Sequence, residues 1–186
     1  ITFFSYGAAR TLGMSGLSRK YVLPAIVVLL VSAAASYLYF SRGDDSVKYE
    51  EGITAGYLVT DMEIPLLNGG AVRLSDYEGK VLVVDFMAPW CAPCKEQVKV
   101  LKVLNEYPDV EIITINIDSR YNSSTLKQFA EAEGVIWSFG ISPEAAQTYQ
   151  TNAIPTILFV DEEGVIRYRG FFTTLNQFEQ LLQSYG

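Results

Sequence analysis

The sequence predicts an α/β domain with a central mixed β-sheet flanked by helices, a β-hairpin ahead of it and one transmembrane helix on its N-terminal side. Three observations predict this. Val81 to Phe86 reads VLVVDF, a nearly continuous β-branched run suited to a strand buried on both faces. After it, strand-like and helix-like segments alternate, and then two strands are joined by a short link. Before it, Tyr21 to Phe40 reads YVLPAIVVLLVSAAASYLYF, 20 residues without a charge.

A helix of that length rises about 30 Å, the thickness of a bilayer core. Tyr21, Tyr37 and Tyr39 lie near its ends, where aromatic belts form, and Pro24 falls near the first turn, where it is tolerated. Arg10, Arg19 and Lys20 precede the run, while Asp44 and Asp45 follow Arg42. The positive-inside rule then puts residues 1–20 in the cytoplasm as a tail, 21–40 in the bilayer as a signal-anchor, and the remainder outside. Ala33 and Ala35 form an A-x-A-like pair, the mark of a cleaved signal peptide, but the apolar run continues past them. Met14, just ahead of the basic residues, would make a natural start.

Residues 41–56 are polar and charged and read as a linker to a domain over 57–186. MEIPLL and AVRL flank Asn68-Gly69-Gly70, a hairpin signal in which Pro65 favours an edge. Ser75 with Glu78 resembles a capping box for a short helical turn that Gly79 ends. Apolar residues at Val98, Val100, Leu101, Val103 and Leu104 give the stretch from Lys95 to Tyr107 a helical period. A strand is predicted over Glu111 to Ile117, a helix from a Ser123 cap to about Glu133, and a short helix from Pro143 to about Tyr149. Strands Thr156 to Val160 and Val165 to Tyr168 follow, then a helix over Leu175 to Tyr185 with Phe178, Leu181 and Leu182 on its apolar face. Crossover helices make the first strands parallel, and the tight link at Glu162–Gly164 makes the last pair antiparallel.

All 21 Asp and Glu lie beyond residue 43, where they meet only 10 Lys and Arg, a formal net charge of −11. Such an excess argues against a nucleic-acid partner. The chain has no His and two Cys, Cys91 and Cys94. That removes a His base, a Cys–His pair and, within one chain, a four-ligand metal site. No cofactor is called for, and the chemistry is left to thiols, carboxylates and backbone.

Cys91 follows a buried strand and opens a helix, where unpaired amides and the helix dipole favour a thiolate. Cys94, three residues on, shares its face and can resolve a mixed disulfide formed at Cys91. Ala92 and Pro93 complete the motif, and Pro93 stiffens the turn. A disulfide closing so small a loop stabilises a fold little, so redox use outweighs a structural one. Asp85, alone in an apolar strand six residues before Cys91, is expensive to bury. Burial would raise its pKa and fit it to take a proton from Cys94. The alternative for Asp85 is a carboxylate at the sheet edge facing water. Pro155, just ahead of an apolar strand, does not belong inside a ladder, although cis is the minority state for an X-Pro bond.

The stretch Val84-Asp85-Phe86-Met87-Ala88-Pro89-Trp90-Cys91-Ala92-Pro93-Cys94-Lys95 closely resembles the active-site segment of thioredoxin. Thr114–Asp118 and Ala153-Ile154-Pro155-Thr156 resemble its third strand and its cis-proline loop. Val72–Lys80, and the extra segment with Trp137 between Asp118 and Pro155, resemble the membrane-bound TlpA/ResA-like branch. The resemblance implies a thioredoxin-like fold over roughly residues 57–186. It implies Cys91 as nucleophile, Cys94 as resolving cysteine, Asp85 as buried carboxylate and Pro155 as the cis proline. Trp90 would lie beside the site, and the Ile154 backbone would be free to pair with an extended substrate. Met87 stands where thioredoxin commonly has an aromatic residue, and Thr114 where it has a lysine near the buried Asp.

The same resemblance implies a membrane-tethered, extracytoplasmic thiol–disulfide oxidoreductase that reduces protein disulfides, including those of cytochrome c maturation. Its partners would be disulfide-bearing proteins, the lipid bilayer through residues 21–40, and a CcdA/DsbD-like membrane electron donor. Its location would be the cell membrane, single-pass. A thiol oxidase of disulfide formation, a non-catalytic binding module and a thiol peroxidase are the competing readings.

Overall fold

The structure, a computed structural model, describes residues 24, 26–34 and 49–186. The chain divides into two units, Ile1–Val47 and Lys48–Gly186.

In the first unit, Pro24 and residues 26–34 are helical and exposed. Residues 26–34 rise only about 14 Å at 1.5 Å each, against about 30 Å for a bilayer core. No helix among the described residues is long and apolar enough to cross a membrane. This corrects the transmembrane signal-anchor predicted over 21–40. With it fall the membrane anchoring attached to the TlpA/ResA-like resemblance, the tethered function, the bilayer partner, the CcdA/DsbD-like membrane donor and the single-pass location. The rest of 21–40, the tail at 1–20 and residues 41–48 lie outside the described residues.

The second unit is built on a five-stranded mixed sheet in the order β7-β6-β5-β8-β9. Its strands are β5 (Val81–Met87), β6 (Val110–Asn116), β7 (Ser138–Ile141), β8 (Thr156–Val160) and β9 (Ile166–Gly170). β5, β6 and β7 run parallel, while β8 is antiparallel to both β5 and β9. The helices are α1 (Ala92–Leu104), α2 (Ser123–Glu133), α3 (Pro143–Thr148) and α4 (Leu175–Tyr185). This is the thioredoxin-like arrangement of a central mixed sheet flanked by helices.

All seven residues of β5 are buried, because its alternating side chains enter two different cores. Leu82, Val84 and Phe86 meet Ile113, Ile115, Leu158 and Tyr149 on one face. Val81 and Val83 meet Leu101 and Leu104 of α1 and Phe178 of α4 on the other. Asp85 shares the parity of Val81 and Val83 and therefore faces the α1 side.

Ahead of the sheet, β1 (Glu51–Gly52) pairs with β2 (Leu58–Val59), so pairing begins inside the stretch read as linker. The hairpin of β3 (Glu63–Pro65) and β4 (Ala71–Arg73) forms across Gly69 and Gly70, both at positive φ. It docks on the outer strand of the sheet through a Leu66–Gly140 bridge. A Cβ on Gly140 would collide with the Ile64 side chain, so this close approach requires glycine. The hairpin thus covers an edge that would otherwise be open.

Three local details differ from the sequence reading. The turn at Leu74–Tyr77 is a 3-10 helix whose Arg73 amide donates to the Asp76 carboxylate at 2.7 Å, so the cap lies two residues before Ser75. α2 is capped by Asn122, whose side chain accepts the Thr125 amide at 3.0 Å, rather than by Ser123. β7 was not expected at all. Its SFGI alternates apolar with small residues but is only four residues long, too short a signal to stand alone, and its pairing with β6 reveals it.

Candidate active site

β5 ends at Met87, the chain turns through Ala88-Pro89-Trp90, and Cys91 becomes the N-cap of α1. Cys91 and Cys94 are joined in a disulfide. The Cys94 amide donates to Cys91 Sγ at 3.1 Å. This is one of the orphan amides of a helix N-terminus, a position at which helix electrostatics favour an anion. Pro93 supplies no competing donor in this first turn. Cys91 is 3% exposed and Cys94 is fully buried. Cys91 also lines a surface groove with Trp90, Pro93, Asp118 and Ile154.

The opposite wall of the groove is the loop into β8. The Ile154–Pro155 bond is cis, Pro155 is buried, and the Ile154 carbonyl oxygen lies 3.6 Å from Cys91 Sγ. In the disulfide the sulfur carries no proton, so this is a contact, and a cysteine thiol there has an acceptor within reach. No hydrogen bond among the described residues engages the Ile154 amide.

Trp90 is 58% exposed, and its indole N–H donates to Asp118 at 2.7 Å. Asp118 also holds Arg120. The Arg120 hydrogen bonds first, and the Trp90 donor after them, keep the Asp118 carboxyl well below the usual carboxylate range. Trp90 is therefore an exposed apolar plate fixed by its polar edge. Lys95 does not turn its charge freely toward the sulfurs. Its ammonium is 3.6 Å from Glu133 and lies over the Phe129 ring.

Asp85 is fully buried. Its register partners are Thr114 on β6 and Ile157 on β8. The Thr114 hydroxyl donates to Asp85 Oδ2 at 3.1 Å, while Oδ1 has no partner. Burial pushes the carboxyl up to about 7, and the Thr114 hydrogen bond offsets part of that rise. The water-facing alternative for Asp85 is excluded by its burial. The carboxyl can gain and lose a proton near neutral pH, on the face of β5 covered by α1.

Two further contacts were missed from the sequence. The Trp137 indole N–H donates to the Thr114 hydroxyl at 3.0 Å. Gln97, buried one turn past Cys94, donates to the Thr173 carbonyl at 3.0 Å and accepts the Thr173 amide at 2.7 Å. The signal for Gln97 is a polar residue on the stripe of Cys94, Val98 and Leu101. Its partner could not be read, because Thr173 lies 76 residues away.

Comparisons with known proteins bear on this site. The chain is 27% identical over 153 residues to the thioredoxin-like protein YneN of Bacillus subtilis, covering 80% of this chain and 88% of that protein. It is 25% identical over 157 residues to the thiol-disulfide oxidoreductase ResA of Geobacillus thermodenitrificans, covering 80% and 86%. Among solved structures, the thioredoxin domain of a thiol-disulfide oxidoreductase from Bacteroides vulgatus matches with a TM-score of 0.63 at 20% identity. That match covers 73% of this chain and all of that one, and it is a likeness of fold. The closed Cys91–Cys94 pair and the relation to thiol-disulfide oxidoreductases make this chain an enzyme of thiol–disulfide exchange. With its residues 55–169 matching the AhpC/TSA family, well over half of its length, the chain belongs to that family.

Proposed function

We propose that the enzyme reduces disulfides of protein substrates, with Cys91 as nucleophile and Cys94 as resolving cysteine. The Cys91 thiolate attacks one substrate sulfur, forming a mixed disulfide and releasing the other sulfur as a thiolate. Cys94 gives its proton to the Asp85 carboxylate and attacks Cys91 Sγ. The second substrate sulfur leaves as a thiolate, and the Cys91–Cys94 disulfide closes. Two electrons pass from the enzyme dithiol to the substrate. Trp90 and the Ile154–Pro155 loop flank the groove at Cys91, where an extended segment with its backbone beside Ile154 would lie.

The observation that carries this reading is the asymmetry of the pair. Cys91 edges the groove and receives a helix-terminal amide, whereas Cys94 is enclosed on the side of a protonatable Asp85. The reducing direction is supported by Ala92-Pro93, by the lack of any His to hold a Cys91 thiolate, and by the pairing of Lys95 with Glu133. Each leaves the thiolate less stabilised than a strong oxidant needs.

Insulin reduction driven by dithiothreitol tests the exchange reading. The purified chain accelerates it and Cys91→Ser does not, and equal rates would sink the reading. Equilibration in dithiothreitol redox buffers tests the direction. A potential near about −270 mV supports a reductase, and one near about −120 mV supports an oxidase instead.

A further inference from the structure

Asp85 is reached by a two-step hydrogen-bond chain. An indole N–H can only donate, so Trp137 occupies a lone pair of the Thr114 oxygen at 3.0 Å. An ionised carboxylate can only accept, so the Thr114 proton lies toward Asp85 Oδ2, 3.1 Å away. Thr114 and Asp85 are fully buried and Trp137 is partly buried. Chains of this kind polarise one another, because each donor bond makes the next hydroxyl a better donor.

We infer that Trp137 is a positioning residue, which holds the Thr114 hydroxyl on Asp85 and thereby sets the proton affinity of the carboxyl that serves Cys94. This deepens the proton role proposed for Asp85 and rests on it for its catalytic meaning.

The surroundings leave this chain as the main polar influence on Asp85. On β6, Glu111 pairs with Lys80 at the far end of the strand. On α1, Lys95 pairs with Glu133 and Lys99 with Glu96, while the exposed Lys102 reaches to Gly134 at the end of α2. β7 and β8 carry no titratable residue. Tyr107 and Tyr168 also pack on this core, where Tyr107 donates to Glu179 and Tyr168 accepts from Thr173, and in the reduced enzyme the Cys94 and Cys91 thiols join them. Burial alone drives the Asp85 carboxyl upward, and Thr114 is the one group that pulls it back.

Reduced full-length chain carrying carboxyl-labelled Asp tests the inference by nuclear magnetic resonance titration, with Asp85→Asn identifying the signal. Trp137→Phe removes the donor and should raise the Asp85 midpoint by about 0.5–1 pH unit, the equivalent of one weakened hydrogen bond. Thr114→Val should raise it at least as far, while Thr114→Ser keeps the wild-type value. In the wild type, the Trp137 indole N–H resonance should titrate with Asp85, and in Thr114→Val it should not. This second readout does not depend on Trp137→Phe folding. An unmoved midpoint in Trp137→Phe, or an indole resonance indifferent to Asp85, overturns the inference. The pH profile of insulin reduction reports separately on catalysis. An Asp85→Asn profile matching the wild type would remove the proton role of Asp85 and leave the titration test standing.

Discussion

Cys91 Sγ and the carbonyl oxygen of Ile154 face each other at 3.6 Å, across 63 residues of sequence. Cys91 thus lines the surface groove while Cys94, three residues on, is fully buried. In the reduced chain, iodoacetamide at pH 7 should label Cys91 at least about 10-fold faster than Cys94, because only Cys91 combines access with a helix-terminal amide. Peptide mapping after short pulses reads the ratio, and equal labelling from pH 5 to 8 contradicts it.

Loss of the resolving thiol should separate the two halves of the reaction. Cys94→Ala keeps the nucleophile and should accumulate a covalent complex with insulin on Cys91, while its turnover falls by at least about 100-fold. Non-reducing electrophoresis shows the complex, and dithiothreitol releases it. Cys91→Ser should form none.

Asp85 makes stability depend on pH with a definite sign. Its carboxyl is pushed up to about 7 in the folded chain from an ordinary 3.8. Between those values the folded state holds a proton that the unfolded state has released, so stability falls as pH rises through this window. The full cost, reached above pH 7, is about 4 kcal/mol. Asp85→Asn in the oxidised chain should therefore unfold at higher urea at pH 8, by roughly 2–4 kcal/mol, and match the wild type near pH 3. Parallel urea titrations at the two pH values check this, and a variant no more stable at pH 8 than the wild type contradicts it.

Gln97 tests the joint between α1 and the loop before α4. Gln97→Leu fills much of the same space but leaves the buried Thr173 amide and carbonyl without the partners they have now. The expected loss is about 2–4 kcal/mol in urea unfolding, larger than for a surface substitution. A loss under about 0.5 kcal/mol would show that the loop finds other partners.

Several elements were legible because their signals are local. The β-branched run of β5, the Cys-x-x-Cys spacing at the head of α1, the glycine hairpin and the apolar face of α4 each lie within a few consecutive residues. The apolar run at 21–40 was also legible as composition, but hydropathy counts residues and does not show that they form one continuous helix. Among the described residues no helix reaches spanning length.

The sequence by itself determined the alternation of strands and helices and the chemistry available to the chain, namely two thiols three residues apart and no histidine. Local sterics and side-chain periodicity act over neighbouring residues, so those features can be read without the fold. The tertiary structure decided what surrounds the thiols. Thr114 reaches Asp85 across 29 residues, Trp137 reaches Thr114 across 23, and Gln97 meets Thr173 across 76. It also drew Lys95 to Glu133 and set β7 against β6. A hydrogen bond or a strand pairing depends on distances of a few ångströms between groups far apart in the chain. Only the folding of the sheet, with α1 laid across it, brings them within that range.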